Sequence, residues 1–152
     1  MDIQIETIPA MPIACVRHVG PYPEMEPAWG AVMGWAAAKG LVGPDATMLG
    51  LCYDDPAETP GPELRSDACV TVSPDADVDA PAELREIAAG RYVTAVHVGP
   101  FDTVGESYAA MTDWAVGEDV TFREHPTIEM YLTDPETTPP EEFETKLFVA
   151  IE

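Results

Sequence analysis

Arg17-His18-Val19-Gly20-Pro21-Tyr22 decides the fold, because it recurs as Val96-His97-Val98-Gly99-Pro100-Phe101. His18 and His97 define a shift of 79 residues, and that shift aligns the rest of the chain without a gap. Trp29 falls on Tyr108, and Trp35 on Trp114. Asp55-Pro56 falls on Asp134-Pro135, and Thr59-Pro60 on Thr138-Pro139. Cys69-Val70-Thr71-Val72 falls on Phe148-Val149-Ala150-Ile151. So many aromatic and proline positions kept in register identify an internal duplication.

Each half is then read through two sequences. The segments before the shared motif, Ile13 to Val19 and Tyr92 to Val98, are β-rich. Gly-Pro ends each strand, since proline cannot continue the ladder and restricts the residue before it. Apolar residues then recur at spacings of 4, 3 and 4, as Met25, Trp29, Val32, Ala36 and as Val104, Tyr108, Met111, Ala115. That is a helical stripe. Gly40 and Gly117 are expected to close the two helices as C′ glycines. Strands Met48 to Tyr53 and Thr127 to Leu132 follow, stopped by Asp-Pro, and the last strands lie around Ala68 to Val72 and Leu147 to Ile151. A short initial strand, Ile3 to Ile8, has a weaker counterpart near Leu84 to Ile87.

The fold class is α+β: an internal duplication of a strand-strand-helix-strand-strand unit, with antiparallel sheets and two main helices. Repeat one covers about residues 1–73 and repeat two about 80–152. Neither half buries its sheet alone, so a single pseudo-two-fold symmetric domain over 1–152 is expected. The acidic segments Ser73 to Pro81 and Asp134 to Glu142 read as solvated connections.

Bulk composition narrows the function. A chain of 152 residues with 46% hydrophobic content can bury roughly 68–70% of its unfolded surface without metal or disulfide. No apolar run approaches the ~18 residues of a membrane span, and MDIQIETIPA lacks the pattern of a secretory leader. A soluble, cytoplasmic protein is expected. Acidic residues number 28 against 7 basic ones, a net charge of −21. Direct nucleic-acid binding needs a clustered basic footprint, which this scatter of Arg and Lys does not offer. With only Lys39 and Lys146 as lysines, the composition looks like that of halophilic proteins, whose self-repulsion is screened at high salt. Cys15, Cys52 and Cys69 stand far apart among apolar neighbours. They read as buried free thiols rather than a metal site or a nucleophile. No cofactor is implied.

A duplicated fold is most informative where its copies disagree. Copy one reads Met48-Leu49-Gly50-Leu51-Cys52-Tyr53 where copy two reads Thr127-Ile128-Glu129-Met130-Tyr131-Leu132. Alternation puts Ile128, Met130 and Leu132 on one face with Leu49, Leu51 and Tyr53, and that apolar face is expected to pack on the helices. Glu129 and Tyr131 then point to the other face, opposite Gly50 and Cys52. An ionised Glu129 in an aromatic cage pairs with a cation, each ring adding roughly 0.5–2 kcal/mol. A desolvated Glu129 has a raised pKa and can act as a general acid or base. The plainer alternative is an ordinary acidic residue on a solvated face. His18 and His97 are retained symmetrically, which points to a structural role at the strand end or the following turn. His125 precedes Pro126 and has no counterpart. Trp29 and Tyr108 lie on the helical stripe, where core packing is the plain reading; a buried Tyr108 hydroxyl would need a partner.

The ordered set Arg17 to Tyr22, Ala28 to Trp35 and Gly50 to Pro60, with Tyr108 to Trp114 and Glu129 to Pro135, resembles GyrI-like small-molecule-binding domains over essentially the whole chain. The resemblance implies two modules around a central cleft that takes effectors, often lipophilic cations. It places a recurrent pocket glutamate on Glu129, with Tyr131, Tyr108, Trp29 and Phe148 lining the cleft. It leaves three functions open. One is a stand-alone binder of a hydrophobic or cationic small molecule. Another is a hydrolase of strained, cyclopropanoid-type electrophiles, with Glu129 activating water and Tyr108 polarising the leaving group. The third is a protein-interaction module, with a transcription regulator or gyrase as partner. Binding without turnover is the favoured reading.

Overall fold

The computed structural model describes residues 1–41 and 46–152. Among them are eight strands and two α-helices: β1 (Gln4–Ile8), β2 (Met11–Val19), α1 (Glu26–Ala38), β3 (Met48–Cys52), β4 (Arg65–Thr71), β5 (Glu83–Ile87), β6 (Gly90–Val98), α2 (Val104–Gly117), β7 (Thr127–Tyr131) and β8 (Glu144–Ile151). A shift of 79 residues carries β1 onto β5, β2 onto β6, α1 onto α2, β3 onto β7 and β4 onto β8, each boundary agreeing to within one residue.

Two compact units emerge, Ala10–Ala88 and Met1–Pro9 together with Ala89–Glu152. In the first, the antiparallel order is β5-β2-β4-β3, with α1 packed on β2 and β4. In the second it is β1-β6-β8-β7, with α2 against β6. The short initial strand therefore pairs outside its own sequence half. Ile5 lies opposite Val93, while Ala14 lies opposite Leu84.

Glycine sets the exit from each long strand. Gly20 and Gly99 have φ of 135° and 136°, a region closed to residues with a Cβ. There the Gly20 N–H donates to the Leu64 carbonyl at 2.7 Å, and the Gly99 N–H to the Phe143 carbonyl at 2.9 Å. The following proline ends the ladder and a 3-10 turn leads into the helix. His18 and His97 brace this turn, their Nε2 atoms lying 3.1 and 3.2 Å from the carbonyls of Pro21 and Pro100. Gly40 takes the C′ position of α1 with φ 71°. Gly117 does not do so for α2: it is the last helical residue, and Asp119 occupies the left-handed position with φ 57°. Asp119 is the residue that aligns with Gly40, and a short polar side chain tolerates that conformation.

β4 and β8 begin earlier than their apolar runs suggested, at Arg65 and Glu144. Ser66, Asp67 and Thr145, polar to a sequence reader, are fully buried there. The face assignment also needs correction. α1 packs on Ala14, Ala68 and Val70, with Met48 alongside, and Gly50 shares that face because it lies opposite Ala68. Leu49 and Leu51 lie opposite Cys69 and Asp67, on the other face. In the second unit α2 packs on Val93, Ala95 and Leu147, and Glu129 lies opposite Leu147. The face bearing Glu129 is thus the helix face. Leu49 and Ile13 are as completely buried as Ala68, so alternation shows two faces but not which one a helix covers.

Candidate functional site

Glu129 sits in β7, on the sheet face over which α2 lies, and Tyr108 comes down from α2 on the same side. The Tyr108 hydroxyl donates to Glu129 Oε2 at 2.9 Å. From the same strand, the Tyr131 hydroxyl approaches Oε1 at 3.4 Å. Burial pushes the Glu129 carboxyl above its ordinary value, against the opposing pull of the Tyr108 and Tyr131 hydroxyls and of nearby His97. A carboxylate that is desolvated and, among the described residues, has two neutral hydroxyls as its donors holds its charge at a cost.

Around this pair the aromatic surface continues. Phe101 meets Tyr131 edge-on, with ring centroids 5.4 Å apart, and stacks on Phe143 at 4.8 Å. Phe101 is 41% exposed, so this wall reaches solvent. Sequence reasoning missed both phenylalanines, although a signal was present. Phe101 aligns with Tyr22, whose hydroxyl donates to the Asp54 carbonyl at 2.5 Å. Phenylalanine has no hydroxyl to anchor in that way, and its ring turns to aromatic contacts instead.

The sheet face beside Tyr131 is polar. Tyr131, Thr145 and His97 form one cross-strand row over β7, β8 and β6. His97 is held from both sides: Ser107 Oγ lies 2.6 Å from Nδ1, and Thr103 Oγ1 lies 2.9 Å from Nε2. Because Thr103 gives its proton to the Pro100 carbonyl at 2.7 Å, Nε2–H donates, and in the neutral ring Ser107 donates to Nδ1.

Phe148 does not share the Glu129 face. Phe148 is directly opposite Ile128, hence on the sheet face away from Glu129, where it meets Tyr92 edge-on at 6.1 Å. Trp29 belongs to the Ala10–Ala88 unit and packs against the α1 core. In that unit Gly50 takes the place of Glu129, so β3 presents no carboxylate to α1 there.

The sheet face of Ala10–Ala88 opposite α1 carries a different cluster that the sequence reading did not foresee. Fully buried Asp67 accepts from Arg17 Nε at 2.6 Å and from the Tyr53 hydroxyl at 2.5 Å. Arg85 Nε lies 3.5 Å from its second oxygen. Beside it Cys15 and Cys69, distant in sequence, are direct cross-strand neighbours with sulfurs 2.8 Å apart. Burial pushes the Cys69 thiol up, away from the reactive thiolate. Among the described residues no helix is long and apolar enough to cross a membrane, and no cluster of His, Cys, Asp and Glu could hold a metal ion.

Known proteins share this fold. The model of a family described as a GyrI-like small molecule binding domain matches residues 1–152. The SPbeta prophage-derived putative transcriptional regulator YosT of Bacillus subtilis (strain 168) is 30% identical over 133 residues, covering 86% of this chain and 89% of its own. The crystal structure of the EcmrR C-terminal domain superposes with a TM-score of 0.77 at 18% identity, over 99% of this chain and 97% of that one. The structure of SAV2435 bound to tetraphenylphosphonium matches with a TM-score of 0.63 at 16% identity, over 100% of this chain and 94% of that one. At such identities the structural likenesses speak for the fold alone.

Proposed function

Because the chain belongs to the GyrI-like small-molecule-binding domain family, we propose that its ligand is a lipophilic cation held at Glu129. The observation that carries this reading is a half-buried, desolvated carboxylate whose hydrogen-bond donors, among the described residues, are two neutral tyrosine hydroxyls. A bound cation would relieve the cost of that charge. The rings of Tyr108, Tyr131 and Phe101 would add roughly 0.5–2 kcal/mol each by cation–π contact. The tetraphenylphosphonium complex of SAV2435 supports the choice of ligand class. We read the two units as copies of one module related by a pseudo-two-fold axis. One copy has a charged anchor where the other has Gly50, which favours a single asymmetric site.

The test is a thermal-shift titration in high salt with tetraphenylphosphonium and with neutral triphenylphosphine oxide, on wild type and Glu129→Gln. At a hundred times its dissociation constant a ligand stabilises by about 2.7 kcal/mol. Stabilisation is expected for the phosphonium on wild type only. Equal shifts in both proteins would remove the glutamate from the site, and no shift at all would turn attention to a protein partner.

A second reading rests on the raised Glu129 carboxyl beside the Tyr108 hydroxyl. In a hydrolase, Glu129 would accept a proton from the attacking water as the strained C–C bond opens, while Tyr108 donates to the activating group that takes up the bond's electron pair. Product analysis with electrophilic cyclopropanoid compounds separates the two, since binding alone leaves the compound intact.

A further inference from the structure

Thr145 is fully buried, and its hydroxyl has no hydrogen-bond partner among the described residues. It stands on the same face as Glu129, between Tyr131 and His97 in the cross-strand row. Diagonal neighbours on adjacent strands lie about 7–8 Å apart, within reach of one small molecule. His97 cannot serve it, because both ring nitrogens are already engaged by Ser107, Thr103 and the Pro100 carbonyl. An unpaired buried hydroxyl is destabilising, and an aliphatic side chain of the same shape would avoid that cost.

We propose that Thr145 is a specificity-determining residue of the Glu129 site, hydrogen-bonding an N–H or O–H group carried by the bound cation. This rests on the cation reading above and deepens it. The ligand class becomes an aromatic cation with a hydrogen-bonding group close to its charge, such as a protonated aryl amine, in preference to a wholly quaternary onium ion. The register fits: Thr145 lies directly across from Tyr131, which is two residues along β7 from Glu129. The hydroxyl alone does not make a site. Ser66, at the aligned position, is also buried and unpartnered among the described residues, but it lies opposite Cys52 in a unit with Gly50 in place of the glutamate.

The experiment compares two probes, 9-aminoacridinium with N–H donors and tetraphenylphosphonium without them, by calorimetric titration on wild type, Thr145→Val, Thr145→Ser, Ser66→Ala and Glu129→Gln. Thr145→Val should weaken 9-aminoacridinium about tenfold and leave tetraphenylphosphonium within about twofold, as expected for one hydrogen bond. Thr145→Ser should restore the lost affinity, and Ser66→Ala should change neither probe. Without ligand, Thr145→Val should melt no lower than wild type. Unchanged 9-aminoacridinium binding in Thr145→Val, or equal loss of both probes, would overturn the proposal. So would a markedly lower melting temperature, which would reveal a partnered hydroxyl. Indifference of both probes to Glu129→Gln would instead sink the cation-at-Glu129 reading.

Discussion

At Glu129 two effects oppose each other: burial raises the carboxyl pKa, and the Tyr108 and Tyr131 hydroxyls with His97 lower it, burial winning. The folded chain therefore holds this proton to higher pH than the unfolded chain does. The stability that Glu129 itself contributes is greatest below the unfolded value of 4.5 and is lost as pH rises through the folded value. Glu129→Gln mimics the protonated acid. It should melt higher than wild type at neutral pH and flatten the pH dependence just above the unfolded pKa. Cation affinity should run the other way, rising with pH as the carboxyl ionises. Melting curves from about pH 4 to about pH 8, with and without tetraphenylphosphonium, measure both. A wild type whose stability climbs through this window as steeply as the variant's would contradict a desolvated Glu129.

At the scale of elements, β1 and β5 are related by the 79-residue shift but differ in burial. Ile5 packs against the α2 core, whereas Leu84, its counterpart 79 residues on, is 52% exposed. Burial of a charge without a partner is what separates them energetically. Ile5→Asp should cost about 2–3 kcal/mol, and Leu84→Asp within about 0.5 kcal/mol of nothing, both read from denaturant midpoints at constant slope. Equal costs would mean that β1 does not seal the α2 core as described. These two strands also show why sequence halves and compact units differ. Each short initial strand follows its hydrogen-bonding partner, and partner choice leaves no trace in composition.

For the whole molecule, the net charge of −21 governs how stability responds to the solvent. Six ion pairs join described residues, and two of them share Asp67, against 28 acidic and 7 basic groups in the sequence. Raising salt from about 0.1 M to about 1 M shortens the Debye length from ~10 to ~3 Å. The melting temperature should then climb by several degrees, with NaCl and KCl acting alike and sucrose serving as the control for exclusion effects. A flat response to salt would show that self-repulsion does not limit stability here.

Periodicity and the 79-residue repetition located the elements without any coordinates. Gly-Pro after each long strand, the 4-3-4 apolar stripe and Asp-Pro after each middle strand are local steric and patterning signals, and local signals are complete in the sequence. The difference between Gly50 and Glu129 was legible for the same reason, since two aligned halves supply their own comparison. Only tertiary structure decided which face the helices cover, because both faces are buried and alternation is blind to what lies above a sheet. It alone turned Glu129 toward Tyr108 and Phe148 away, brought Cys15 against Cys69, and buried Asp67 between arginines. Each of these depends on strand register and partner choice, which are set by long-range packing and not by any residue's neighbours in the chain.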